Sequence, residues 1–254
     1  MHGVGNDFLV FDREEVDNVD LPRLARLACD RHFGVGADGI LIPQTSKTAD
    51  LEMVYLNSDG SASEMCGNGI RCLARYARDH DLVSGETLTV ETGAGVKEIL
   101  LHEDGSSRVD IGTPVFNAGV RIGSFNFLRV SVGNPHAVAF LESVEEVEEL
   151  ALREVGPTVE KNAIFPSGTN VEFVFVSGTN ELRMRIWERG AGETLGSGTG
   201  SGAVAVAAIR LGLVGSPVSV KLDGGTVEIE WAGEGEPAYM TGPAEYVCEG
   251  RLIF

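Results

Sequence analysis

Met65-Cys66-Gly67-Asn68-Gly69-Ile70-Arg71, running into Cys72-Leu73-Ala74-Arg75-Tyr76-Ala77, is built like a second stretch of the chain. That second stretch is Gly196-Ser197-Gly198-Thr199-Gly200, running into Ala203-Val204-Ala205-Val206-Ala207-Ala208. In each, a side chain capable of nucleophilic or acid–base chemistry stands directly before a Gly-x-Gly. An apolar, alanine-rich segment of helical character follows. Nine positions upstream of each, a polar residue closes a strand-like run: Asn57 after Leu51-Glu52-Met53-Val54-Tyr55-Leu56, and Glu188 after Leu182-Arg183-Met184-Arg185-Ile186-Trp187. The repeat predicts two similar halves, each carrying a half-site, that grip one small substrate from opposite sides.

Strand-like runs dominate the remainder. They cover residues 8–11, 40–42, 51–56, 87–91 and 108–111 in the first half, and 127–132, 137–140, 171–176, 182–187, 218–222, 226–231 and 239–240 in the second. Gly, Asn and Asp punctuate them as turns require. Helical segments are fewer, at about 21–31, 66–79, 144–153 and 198–211, with Gly212 capping the last. Strands outnumber helices without alternating with them, which predicts an α+β architecture rather than a doubly wound parallel sheet. Each half then wraps a sheet around one apolar helix, and Gly112-Thr113-Pro114 marks the boundary.

At 254 residues, 43% hydrophobic and 23% charged, the chain has the composition of a globular protein with room for two cores. It shows no apolar run of the ~20 residues that span a membrane, and no basic-then-apolar leader. The expectation is a cytoplasmic protein with no membrane contact. A net charge of −18 repels polyanions, so nucleic acid is not an expected partner. The acidic run Glu142 to Leu150 reads as the solvated face of a helix. Cys29, Cys66, Cys72 and Cys248 form no CxxC and have no His pair near them, which argues against structural zinc and a disulfide framework. Cys29 and Cys72 sit in apolar helical stretches and read as core thiols.

Cys66 differs, because its neighbours are Gly, Asn and Gly. A thiol at a helix N-terminus has a lowered pKa. The free N–H groups of Gly67, Asn68 and Gly69 form a cradle for a carboxylate. Alone, the segment reads equally as a tight turn in which a half-buried cysteine caps a helix. Ser197, before Gly198, Thr199 and Gly200, reads by itself as an ordinary N-cap. The pairing of the two changes the reading. Two acid/base groups facing one carbon can remove a proton from one face and deliver one to the other, inverting the centre. No P-loop, strand-GxGxxG-helix unit or HExxH is present, so the reaction is expected to use no cofactor and no metal. The Gly-rich stretch Gly34 to Gly39 opens no helix and is not read as a phosphate site.

Several stretches together resemble the diaminopimelate epimerase family. They are His2-Gly3-Val4-Gly5-Asn6-Asp7-Phe8, Arg31 to Gly39, Asn57 to Ser61, Met65 to Gly69, Gly133-Asn134-Pro135-His136, Thr169-Asn170-Val171, Glu188 to Thr194 and Gly242-Pro243-Ala244. They run in order along essentially the whole chain. The resemblance implies cofactor-independent epimerisation of LL- to meso-diaminopimelate, in lysine and peptidoglycan-precursor synthesis. It implies two pseudo-symmetric domains, each a curved, mostly antiparallel sheet around a central helix. These are residues 1–113 with about 243–254, and residues 114–242, with the active site in the cleft between them. It also implies a homodimer. Carried over residue by residue, Cys66 and Ser197 are the catalytic pair, while His136 and Glu188 support activity. Asn6, Asn57, Gly67, Asn68, Asn134, Asn170, Glu188, Arg189, Gly198 and Thr199 bind substrate. Diaminopimelate carries an amino-acid group at each end, and Arg189 can hold the distal carboxylate bidentately.

The family normally places a second cysteine where this chain has Ser197, and alanine where it has Gly196. A hydroxyl is far less acidic than a thiol, so Ser197 needs a relay to move a proton. Gly39 stands where many members carry Gln. Cys248 is expected in a last strand, where an aromatic residue often meets the dimer partner. Two other readings stay open at this stage: a related dehydratase or racemase of another amino or imino acid, and an impaired serine variant that binds diaminopimelate without turning it over.

Overall fold

Alternating and continuous β-branched runs form the strands, and the two alanine-rich segments form the helices those strands surround. The structure, a computed structural model, describes residues 1–253. It divides into one unit of Met1–Val109 with the segment from Gly242 onward, and a second unit of Asp110–Thr241. The first unit holds β1 (His2–Gly3), β2 (Asn6–Val10), β3 (Gly39–Gln44), β4 (Leu51–Asn57), β5 (Thr87–Thr92), β6 (Gly95–Leu101) and β7 (Ser107–Gly112), whose last residues enter the second unit. Its helices are α1 (Leu21–Ala28) and α2 (Gly67–Asp79). The second unit holds β8 (Val115–Ile122), β9 (Phe125–Ser131), β10 (Pro135–Phe140), β11 (Asn170–Gly178), β12 (Glu181–Glu188), β13 (Gly192–Thr194), β14 (Val218–Leu222), β15 (Gly225–Trp231) and β16 (Ala238–Gly242). Its helices are α3 (Val144–Glu148), α4 (Leu152–Glu160) and α5 (Gly198–Arg210).

The pairing pattern repeats. In the first unit β2/β3 is parallel, β3/β4 antiparallel, β4/β5 parallel, and β5/β6 and β6/β7 antiparallel. In the second, β10/β11, β11/β12, β12/β14, β14/β15 and β15/β16 follow the same order of senses. A parallel pair needs a crossover, and in both units the crossover carries the central helix. The fold is that α+β arrangement, built twice.

Side-chain alternation explains why some strands are apolar throughout. On β3, Leu41 faces α2 and joins Phe8, Ile70, Leu73, Val90 and Ile99, while Ile40 and Ile42 join Leu24, Ala25 and Ala28 of α1. On β11, Val171 and Phe173 pack with Phe127, Leu152 and Val159 around α4. Helix α5 packs against β9, β10, β11, β14 and β15, and Ala203 through Ala208 are wholly buried. Its buried surface runs right round the helix, as expected of a segment with no polar stripe. Gly212 ends it at φ +70, with its N–H on Ile209 O and the N–H of Leu213 on Ala208 O.

Three expectations are corrected. The segment 144–153 is not one helix. It breaks at Leu150 and Ala151, and α4 then continues to Glu160 with Pro157 inside it. Pro157 is the sixth of the nine residues of α4, so the helix goes without the one bond that residue 157 would have donated to Arg153 O. The acidic run is not wholly solvated, since Glu148 accepts 2.7 and 3.1 Å bonds from Arg183. Cys248 lies in no strand: after β16 the chain pairs once with His2, through Glu245, and continues without regular structure. Strands β6 and β8 were not anticipated, and β8 is mostly exposed, so it carries no apolar alternation. Among the described residues no helix is long and apolar enough to cross a membrane.

Gly156 gives the packing a direct test. A Cβ there would lie 2.5 Å from Trp187 Cγ, the rigid base of the ring beside Glu188. Gly156→Ala is expected to destabilise the protein by about 1–3 kcal/mol through overpacking. A urea denaturation midpoint equal to that of the wild type would contradict this packing.

Candidate active site

In the first unit the site starts at a strained turn. Val4 and Gly5 join β1 to β2 with φ values of +47 and +83, the positive pair of a two-residue hairpin turn. A β-branched residue rarely adopts that conformation, and Val4 is held there by burial at 2% exposure. The turn delivers Asn6. Asn6 Nδ2 donates to Asp38 Oδ2 at 2.7 Å, and its Oδ1 accepts from the Cys66 thiol at 3.5 Å and from Asn68 Nδ2 at 3.2 Å. Asn68 is fixed in turn by the buried Arg71, whose Nη2 donates to Asn68 Oδ1 at 2.9 Å. Arg31 clamps Asp7 and Asp38 with bonds of 2.8 to 3.1 Å. Burial pushes the Asp7 carboxyl up, and the Arg31 guanidinium together with the hydrogen bonding of Asp38 outweighs this, leaving it below the usual carboxylate range.

Cys66 is the N-cap of α2. Its backbone is extended (φ −140, ψ 120), and Sγ accepts from Gly69 N at 3.4 Å. Sulfur therefore sits against the positive end of the helix dipole, where negative charge is stabilised. Gly67 and Asn68 form the first turn. Asn57, at the end of β4, is held apart from this chain of bonds: Tyr55 OH donates to its Oδ1 at 2.7 Å, and its Nδ2 donates to Ser61 Oγ at 3.0 Å. A Cβ on Gly39 would lie 2.6 Å from Leu56 O and 2.7 Å from Tyr55 Cε2. The absence of a side chain there is thus a packing requirement in this chain.

The second unit repeats the cap almost to the degree. Ser197 caps α5 with φ −138 and ψ 118, and Oγ accepts from Gly200 N at 3.2 Å. Gly198 and Thr199 open the helix. Ser197 Oγ also donates to Glu188 Oε2 at 3.0 Å, and Thr194 Oγ1 donates to Glu188 Oε1 at 2.5 Å. The strand end that carries Asn57 in the first unit carries Glu188 here, so the serine is backed by a carboxylate.

Asn170 braces the neighbouring strand ends. Its Nδ2 donates to Pro135 O at 3.0 Å, and its Oδ1 accepts from Arg189 N at 2.9 Å. The Arg189 guanidinium is exposed and donates to Ser167 O at 3.1 Å. His136 is buried, with Nε2 at 2.8 Å from Asn134 Oδ1 and Nδ1 at 2.5 Å from Glu172 Oε1. Sequence reasoning did not single out Thr194, Asp38 or Glu172. Glu172 had a readable signal, since an acid inside Val171-Glu172-Phe173-Val174 must find a buried partner. Thr194 and Asp38 had none beyond their place in the quoted stretches.

The pattern of the diaminopimelate epimerase family matches residues 1–117 and 128–247. The chain is 46% identical over 277 residues to the diaminopimelate epimerase of Desulfitobacterium hafniense, covering 100% of this chain and 96% of that protein. It is 41% identical over 275 residues to that of Methanococcus maripaludis, covering 99% and 98%. Among solved structures, a Bacillus anthracis phenazine biosynthesis protein of the PhzF family shares the fold with a TM-score of 0.77 at 21% identity, over 98% of this chain and 93% of that one.

The four thiols are expected to differ in reactivity. Burial pushes Cys72 up to about 12, and burial with the nearby Asp7 and Asp38 pushes Cys29 up to about 11. Cys66 is half-buried on a helix N-terminus and Cys248 is exposed. Iodoacetamide at neutral pH should alkylate Cys66 and Cys248 in the native protein and spare Cys29 and Cys72, read by peptide mass spectrometry. Modification of Cys72 with Cys66 untouched would overturn the assignment.

Proposed function

We infer the division of labour in this site from one premise: the chain belongs to the diaminopimelate epimerase family. It carries diaminopimelate epimerase activity, a step of lysine biosynthesis. Our proposal concerns which atoms do the work. Cys66 and Ser197 act as the two opposed acid/base groups at the α-carbon, and Glu188 serves as the proton store for Ser197.

The observation that carries this is the bond from Ser197 Oγ to Glu188 Oε2 at 3.0 Å. A serine hydroxyl alone cannot release a proton without forming a costly alkoxide. Coupled to a carboxyl group, it can pass one through. In one direction the Cys66 thiolate takes the α-proton, Ser197 gives its proton to the opposite face of the carbanion, and protonated Glu188 refills Ser197. In the other direction the Glu188 carboxylate draws the Ser197 proton as Oγ takes the α-proton, and the Cys66 thiol protonates the other face. Protons balance in both directions, and no free alkoxide forms. Thr194 bonds the second oxygen of Glu188 and fixes the carboxylate plane.

The carbanion next to a carboxylate is stabilised in this reading by the free N–H groups of Gly67-Asn68 and Gly198-Thr199. Arg189 takes the distal carboxylate, with Asn170 bracing its backbone. Asn6, Asn57 and Asn134 supply amide contacts to the polar ends of the substrate. Such a set leaves polar groups unpaired with a smaller ligand, which is how it would discriminate against one.

Conversion of LL- to meso-diaminopimelate, followed by chiral chromatography, tests the assignment. Glu188→Gln should lower kcat by about 10²–10⁴, the usual contribution of a positioned acid/base. In Ser197→Cys, whose thiol ionises unaided, the same Glu188→Gln change should cost much less. An unchanged kcat in Glu188→Gln alone would refute the relay.

A further inference from the structure

We propose that Glu172 is a positioning residue: with His136 it holds one shared proton, and through that pair it fixes the amide of Asn134 in the orientation that binds substrate. The proposal rests on the reading of Asn134 as a substrate contact.

Glu172 lies on β11, on the face opposite Val171 and Phe173, and is 0% exposed. Its Oε1 is 2.5 Å from His136 Nδ1, while Oε2 makes no hydrogen bond among the described residues. His136, on β10, is 1% exposed and places Nε2 at 2.8 Å from Asn134 Oδ1. An amide oxygen can only accept, so Nε2 carries hydrogen. Nδ1 then has two options: it accepts from a protonated Glu172, or it is the donor of an imidazolium facing the carboxylate. The two differ by one proton moved along a 2.5 Å bond, and both are neutral as a pair.

Losing that proton has a specific consequence. A neutral His136 facing a Glu172 carboxylate must keep its hydrogen on Nδ1. Nε2 then becomes an acceptor, and Asn134 must turn its NH₂ group inward to meet it. The outward face of Asn134 switches from donor to acceptor, which is the wrong polarity for a substrate carboxylate. The surroundings oppose that loss. Burial favours the protonated carboxyl of Glu172, the facing His136 works against this, and the negative charge of Glu188 reinforces it. His136 and Glu188 are the ionisable groups that act on Glu172, from β10 and the end of β12. A buried acid with one bare oxygen contributes poorly to stability by itself. Its chemistry suits the holding of a proton.

Two measurements test this. The first is the ¹⁵N spectrum of the His136 ring around neutral pH. The expected result is a protonated Nε2 in the wild type and a mixture of tautomers in Glu172→Gln, because glutamine can either donate or accept. A wild-type His136 with bare Nε2 would overturn the proposal. The second is a double-mutant cycle. Glu172→Gln should raise KM about tenfold or more with a smaller effect on kcat, as loss of a hydrogen bond to a charged group implies. In an Asn134→Ala background it should add nothing further. Equal effects in both backgrounds, or a fall in kcat alone, would mean that Glu172 does not act through Asn134. A wild type that fails to turn over diaminopimelate would sink the functional reading instead, and the ¹⁵N spectrum would still judge this one.

Discussion

Everything here depends on a helix that starts inside the site. An α-helix leaves its first N–H groups unsatisfied, so some acceptor must cap it. In both units the cap is the side chain to which we assign the proton transfer, Cys66 on α2 and Ser197 on α5, with φ and ψ matching to within 2°. The cap fixes the position of Sγ or Oγ, and in the proposed reaction the remaining N–H groups of the first turn serve as the anion cradle. For the helix to end there it must run through the middle of its unit. That demands extensive burial, right round the helix in α5 and over most of its surface in α2, and hence the repeated parallel crossover with a sheet wrapped about it.

The same architecture places supporting groups at strand ends. Asn57 ends β4, directly before α2, Glu188 ends β12, with the short β13 between it and α5, and Asn6, Asn134 and Asn170 start strands or immediately precede them. Rigid ladders therefore hold side chains that would be costly to order on loops. The two caps have different partners. Cys66 bonds the amide of Asn6, which Asn68 braces in turn, and our proposal asks of it only that a thiol ionise by itself. Ser197 bonds the carboxylate of Glu188, which Thr194 braces in turn, the arrangement that our proposal uses as a proton relay.

Much of this was legible in the sequence, for physical reasons. The paired Gly-x-Gly segments signalled helix N-termini, the alanine-rich runs signalled buried helices, and strand-like runs gave most of the ladder. Edge strand β8 was silent because exposed strands need no apolar alternation. The break between α3 and α4 was silent because it lies in an acidic run with no turn residue. At the site, sequence reading named Glu188 as supporting activity but not as the partner of Ser197, since contact across a strand-to-helix connection depends on where β13 folds back against β12. Glu172 is less legible for a simpler reason: it sits within an apolar strand, away from the glycines that mark the rest of the site.

The central claim is that two different groups serve the two faces of the α-carbon, and the fate of solvent deuterium tests it most directly. LL-diaminopimelate incubated with the enzyme in D₂O should give meso product carrying deuterium at the inverted carbon, while the remaining LL substrate stays protiated early in the reaction. That pattern requires separate donors on the two faces. Deuterium entering LL-diaminopimelate as fast as meso product forms would mean that one exchanging group serves both faces, and the Ser197–Glu188 relay would have no part in the reaction.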